Sequence, residues 1–208
     1  MGGVNERERY ETFLPFQHGR EKAPPVTHVR STLLSASLQG LRSFGWESRY
    51  FAALPKELHP VMTSIVAGSW TPIDIAFAHY TACDRMNLST EEMARIGAEV
   101  SLRTQKTFVG TLGKAIASAG ATPWHLLGHA HRIWGRVLDG GDQCVYKAGP
   151  KEAVVEACCD PLLRLTYFRA AHSAYYRVLC GLVAGSVFVR DVPKLRGEAA
   201  IGFRLSWV

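Results

Sequence analysis

Toward the C-terminus of this chain the apolar residues stop recurring at helical spacing and begin to alternate in short runs. Gln143 to Gly149 (QCVYKAG) and Glu152 to Cys158 (EAVVEAC) are such runs, rich in β-branched residues on either side of Pro150-Lys151, and they predict a hairpin. Leu165 to Val183 (LTYFRAAHSAYYRVLCGLV) returns to a helical period. Ser186 to Val192 and Ala199 to Trp207 then predict a second hairpin across Pro193 and Gly197. The expected fold class is therefore α+β: a helical N-terminal part packed on an antiparallel sheet made of two C-terminal hairpins separated by a helix. Helices laid on one face of a sheet often enclose a ligand pocket.

Upstream, residues 1–25 are polar, charged and closed by Pro24-Pro25, and are read as an arm or linker that can dock through Tyr10, Phe13, Leu14 and Phe16. Residues 26–208 are read as a single α+β domain of ligand-binding type. Val26 to Leu41 starts extended and passes into a short helix ending near Gly45. Pro55 to Ala67 and Pro72 to Met86 each place proline where a first helical turn tolerates it. Ser89 and Glu92 have capping-box spacing, which starts a long helix predicted to reach Ala119 and stop at Gly120. Thr122-Pro123 opens a further helix, Trp124 to Leu138, ended by Gly140-Gly141.

Composition narrows the class. With 208 residues, 47% of them hydrophobic, the chain can bury one real core. Lys and Arg outnumber Asp and Glu by 24 to 18, but these charges are spread along the chain and accompany no reader motif, so nucleic-acid binding is not expected. Five cysteines at irregular spacing argue against a disulfide framework and fit a reducing cytoplasm. The sequence has no signal-peptide core and no run of about eighteen apolar residues, so neither secretion nor a membrane span is expected.

The helix Trp124 to Leu138 holds three of the eight histidines. At about 100° per residue, His131 falls at the edge of the apolar arc beside Trp124 and Leu127, whereas His125 and His129 fall with Arg132 and Arg136 on the polar face. His125 and His129 have the i, i+4 spacing of a shared metal, without the other ligands that a zinc motif requires. His131 is either a ligand to haem or another pocket-bound group, or a core histidine satisfied by a backbone carbonyl. Cys158 and Cys159 close a predicted strand, where adjacent side chains point to opposite faces and cannot serve one site. Gly110 to Lys114 (GTLGK) resembles part of a phosphate loop but is too short and lies inside a predicted helix.

Trp70-Thr71-Pro72, Thr122-Pro123-Trp124, Gly149-Pro150-Lys151-Glu152-Ala153, Tyr167-Phe168-Arg169 and Phe203-Arg204-Leu205-Ser206-Trp207 occur in an order that resembles a paralogous family of myxobacterial proteins of similar length and unknown function. More remotely, the layout resembles the superfamily that joins H-NOX haem sensors, vinyl-reductase-type ligand-binding domains and TRAPP subunits. The resemblance implies a pocket between helices and sheet for a hydrophobic small molecule, haem or an acyl chain. In H-NOX proteins the axial histidine precedes the first hairpin, as His129 and His131 do here, and a Y-x-S-x-R motif grips the haem propionates. This chain has Tyr167-Phe168-Arg169-Ala170-Ala171 in that region, without the serine and without the spaced arginine.

The function expected is thus a non-catalytic sensory or scaffold domain of a bacterial signalling protein, binding an apolar small molecule, a protein partner or both. The alternative is an H-NOX-like haem sensor or redox protein with His131 or His129 as axial ligand and Trp134, Tyr167 and Arg169 around the cofactor. No convergent base and nucleophile stand out to make it an enzyme. Homodimerisation is expected from apolar surface beside Trp46, Tyr50 and Phe51.

Overall fold

The computed structural model describes residues 9–104 and 120–208. The predicted end of the long helix and the Gly110 to Lys114 string lie outside them. Strands β1 (Glu11–Leu14), β5 (Asp142–Gly149), β6 (Glu152–Cys158), β7 (Val187–Asp191) and β8 (Ala200–Trp207) form an antiparallel sheet in the order β1-β5-β6-β8-β7. The two predicted hairpins are β5-β6 and β7-β8, joined through β6 and β8, and the fold is α+β as expected.

Side-chain alternation sorts each strand between two environments. Val145, Ala153, Val155, Ala157, Phe203 and Leu205 turn inward to the main core. Cys144, Tyr146 and Val154 turn outward, where Tyr10, Phe16 and Leu195 cover them. Cross-strand pairs carry this pattern across the sheet: Val145 faces Val155 and Val155 faces Phe203. Before and after the edge strand β1, Tyr10 and Phe16 lie on the outer face, and Arg20 Nε donates to Glu156 Oε1 at 2.8 Å. Glu156 is fully buried, so this ion pair and the Tyr146 hydroxyl meet a carboxylate that water does not reach.

Eight α-helices are present among the described residues. They are α1 (Ser31–Ser43), α2 (Glu47–Ala53), α3 (His59–Thr63), α4 (Ile73–Arg85), α5 (Thr90–Thr104), α6 (Pro123–Leu127), α7 (Ala130–Val137) and α8 (Thr166–Gly181). Helix α5 opens on the predicted capping box: Ser89 N–H donates to Glu92 Oε2 and Glu92 N–H to Ser89 Oγ. It packs directly on α8 at Gly97, where a Cβ would stand 2.6 Å from the Cα and carbonyl oxygen of Ala171. Only glycine permits that approach.

Several boundaries differ from the sequence expectation. A small antiparallel sheet, β3-β2-β4, is made by Trp70–Pro72, His28–Arg30 and Leu138–Asp139. Its strands are two or three residues long, too short to show an alternating period. Pro72 caps α4 rather than opening it. The helix expected from Trp124 to Leu138 is two helices, broken at Gly128 and His129, and Leu138 already belongs to a strand. Both Gly140 and Gly141 have positive φ and turn that strand into β5. Tyr50 is fully buried, and Trp46 and Phe51 are partly buried against the core, so less apolar surface is left there than expected. Among the described residues no helix is long and apolar enough to cross a membrane.

Candidate functional site

Helix α8 crosses the inner face of the sheet, and its own sequence spacing gathers one row of apolar and aromatic side chains along it. Phe168, His172, Tyr175, Tyr176 and Leu179 recur at three- and four-residue intervals. Together with side chains from α1, α4, α5, α6, α7, β4 and β5, they line a cavity of about 90 Å³. Its lining is aliphatic and aromatic apart from Ser37, Gln143, His172 and the tyrosine hydroxyls, and no described lining residue carries a full charge.

Most polar groups in this wall are satisfied. The Tyr176 hydroxyl donates to Gln143 Oε1 at 2.6 Å, and Trp134 Nε1 donates to the Gly140 carbonyl at 2.8 Å. Ser37 and Tyr167 exchange a hydrogen bond at 3.3 Å, continued by His79 Nε2 at 3.0 Å from Ser37 Oγ and Tyr50 OH at 2.8 Å from His79 Nδ1. A serine, a histidine and a third polar group in that order resemble a nucleophilic relay. Burial drives His79 down to about 3, however, and a base that cannot hold a proton near neutrality does not activate a serine. The relay instead ties α1, α2, α4 and α8 together through buried hydrogen bonds.

His172 differs. Its ring packs against Trp134, Phe168, Tyr176 and Phe203 with centroids 5.3–5.9 Å away, and it faces the cavity. Burial lowers it to about 4, so the imidazole is neutral at pH 7.

The five residues expected at a cofactor do not come together. Trp134 and Tyr167 line the cavity. His131 points instead to the sheet, its Nε2 2.7 Å from the Gln143 carbonyl oxygen, and His129 sits at the break before α7. Arg169 Nη1 donates to the carbonyls of Leu163 and Arg164, fastening the preceding turn to α8. His125 is not a free polar-face residue either: its Nδ1 accepts the Thr122 N–H at 3.1 Å and caps α6.

Sequence reasoning passed over His172, Tyr176 and Gln143. The available signal was a histidine inside the apolar row of α8, but periodicity alone reads such a row as ordinary core. The expectation for Cys158 and Cys159 is corrected: both Sγ atoms lie 3.9 Å from the Arg20 carbonyl oxygen. Cys159 stands just past β6 with φ +61, which removes it from strand alternation.

No known family model matches the chain, and no curated protein does. Solved structures do match. An H-NOX protein variant from K. algicida in the Fe(II) unliganded state superposes with a TM-score of 0.63 at 6% identity, over 86% of this chain and 96% of that one. The fold is that of an H-NOX domain. A variant of T. tengcongensis H-NOX gives 0.60 at 11% identity, covering 86% of this chain and 97% of the other. An oxygen-binding H-NOX domain related to soluble guanylate cyclases gives 0.55 at 12%, over 86% and 94%. Identities this low establish the H-NOX fold and nothing about its contents here.

Proposed function

We propose that this chain is a sensory domain of H-NOX fold that binds an apolar small molecule in the cavity under α8 and passes occupancy to a protein partner or a second copy. The observation that carries this reading is the lining: a space walled by hydrocarbon and aromatic rings, with no described charge. Dry apolar cavities bind apolar molecules because no hydration has to be replaced. Residues 26–208 act as the ligand-binding domain, with residues 1–25 as an arm or linker. The myxobacterial family, a bacterial cytoplasm and homodimerisation belong to the same proposal. Sedimentation tests the last, with a dimer expected and a monomer at micromolar concentration opposing it. Titration of the protein with small apolar molecules, followed by NMR of α8, tests the cavity. Saturable shifts at Trp134 and His172 are expected, and their absence would remove the reading.

Haem is a second reading, favoured by the fold, whose solved members include structures concerned with haem redox potential and haem distortion. The residues present do not fit a porphyrin as they are arranged. A cavity of about 90 Å³ is far below the roughly 300–1,000 Å³ of ordinary ligand pockets, and neither His131 nor His129 lines it. The imidazole that does is His172. The absorption spectrum of the purified protein with added haem decides between the readings: a Soret shift that His172→Ala abolishes and His131→Ala leaves would favour haem. A colourless protein unchanged by haem is expected.

A further inference from the structure

One polar atom on the wall of this cavity is buried with no partner. The Tyr175 hydroxyl is buried and makes no hydrogen bond. His172, three residues earlier and therefore a neighbour on the same helix face, meets aromatic rings on its sides and makes no hydrogen bond among the described residues. Three other wall residues, Tyr176, Tyr167 and Trp134, are each satisfied by a named protein atom. A buried polar group left unpaired forfeits its hydration with nothing in return, and native structures keep few of them.

We infer that the ligand of this cavity is an uncharged small molecule carrying one hydroxyl or carbonyl oxygen, which hydrogen-bonds to Tyr175 and His172 while its hydrocarbon part fills the apolar remainder. This rests on the cavity reading above and adds the chemical class. Hydroxyl and imidazole each supply a donor and an acceptor when neutral, so either kind of oxygen is served. Burial keeps His172 neutral at pH 7. Anions and cations are rejected because no described lining residue offsets the loss of their hydration. Probe size follows from volume: a dry cavity of about 150 Å³ takes benzene, so a molecule of about four heavy atoms fits within this space.

The experiment is an NMR titration of the full chain with 2-propanol, 2-chloropropane, isopropylammonium and acetate, which are of nearly equal size. The ratio of the 2-propanol to the 2-chloropropane affinity is then compared between the native chain and Tyr175→Phe. That comparison cancels the different hydration of the two probes. Tyr175→Phe removes a hydroxyl that bonds nothing, so the fold loses no hydrogen bond, and retained 2-chloropropane binding verifies the cavity. The ratio is expected to fall about threefold to tenfold in Tyr175→Phe and further when His172→Phe is added, while the two ions give no saturable shift. If both neutral probes bind and the ratio is unchanged, or if either ion binds as well as they do, the inference is overturned and the cavity reading stands. If neither neutral probe binds the native chain, the cavity reading itself fails.

Discussion

The Nε2–H of His131 donates to the Gln143 carbonyl oxygen at 2.7 Å, and the same nitrogen stands 3.8 Å from a carboxylate oxygen of Asp142. A carbonyl only accepts, so this contact fixes which ring nitrogen carries the proton and joins α7 to the first residues of β5. His131→Ala should therefore act on stability, lowering it by about 1–3 kcal/mol. Urea unfolding would show a shifted midpoint, with ligand binding in the cavity unchanged.

The closest approach of two helices makes a second prediction. Gly97→Ala places a methyl 2.6 Å from Ala171 backbone atoms, which cannot rotate away as a side chain could. Helices α5 and α8 must part, at a cost of about 1–3 kcal/mol or more. Thermal unfolding should show the loss, and affinity for cavity ligands should change with it because Gly97 and Ala171 both line the cavity.

Which of these features could be read in advance depended on length and period. The hairpins were legible because β5, β6 and β8 run for seven or eight residues and are bounded by turn residues such as Pro150 and Gly197. The β3-β2-β4 sheet was not, since pairs such as Val29 with Thr71 are specified by tertiary placement rather than by any local run. Gly128 interrupts the apolar arc of the predicted Trp124 to Leu138 helix only once, too weak a signal to reveal the break that turns His131 toward the sheet. His172 was hidden for a different reason: it occupies a core-facing position, and the sequence does not show that its neighbours leave a cavity there.

Buried ionisable groups set opposing pH dependences. Desolvation raises Asp160 from 3.8 to about 7, against the Leu162 N–H that its carboxylate accepts. Between about pH 4 and 7 the folded protein keeps a proton that the unfolded chain has released, so this group's stability contribution is lost as pH rises through that window. His172 works the other way. It is depressed from 6.5 to about 4, so its contribution is present above pH 6.5 and lost as pH falls toward 4. Asp160→Asn, which keeps an acceptor for Leu162, should remove the first dependence and stabilise the protein at pH 8 relative to pH 5 by an amount on the order of a few kcal/mol. Denaturation curves across pH would reveal an unchanged profile if Asp160 is not the group responsible.

Arg20 holds the arm to the sheet through Glu156, whose own side chain is fully buried. Arg20 is partly exposed, which discounts the pair, so Arg20→Ala should cost about 1–2 kcal/mol. Limited proteolysis should cut residues 17–25 faster in the variant, while the β5-β6 hairpin stays protected.

Xenon tests the central claim most directly, because it binds dry apolar cavities through dispersion alone and requires no knowledge of the natural ligand. Crystals pressurised with xenon should show an anomalous peak among Trp134, Phe168 and His172, under α8. Xenon bound elsewhere, with no peak in that space, would contradict the assignment of this cavity as the ligand site.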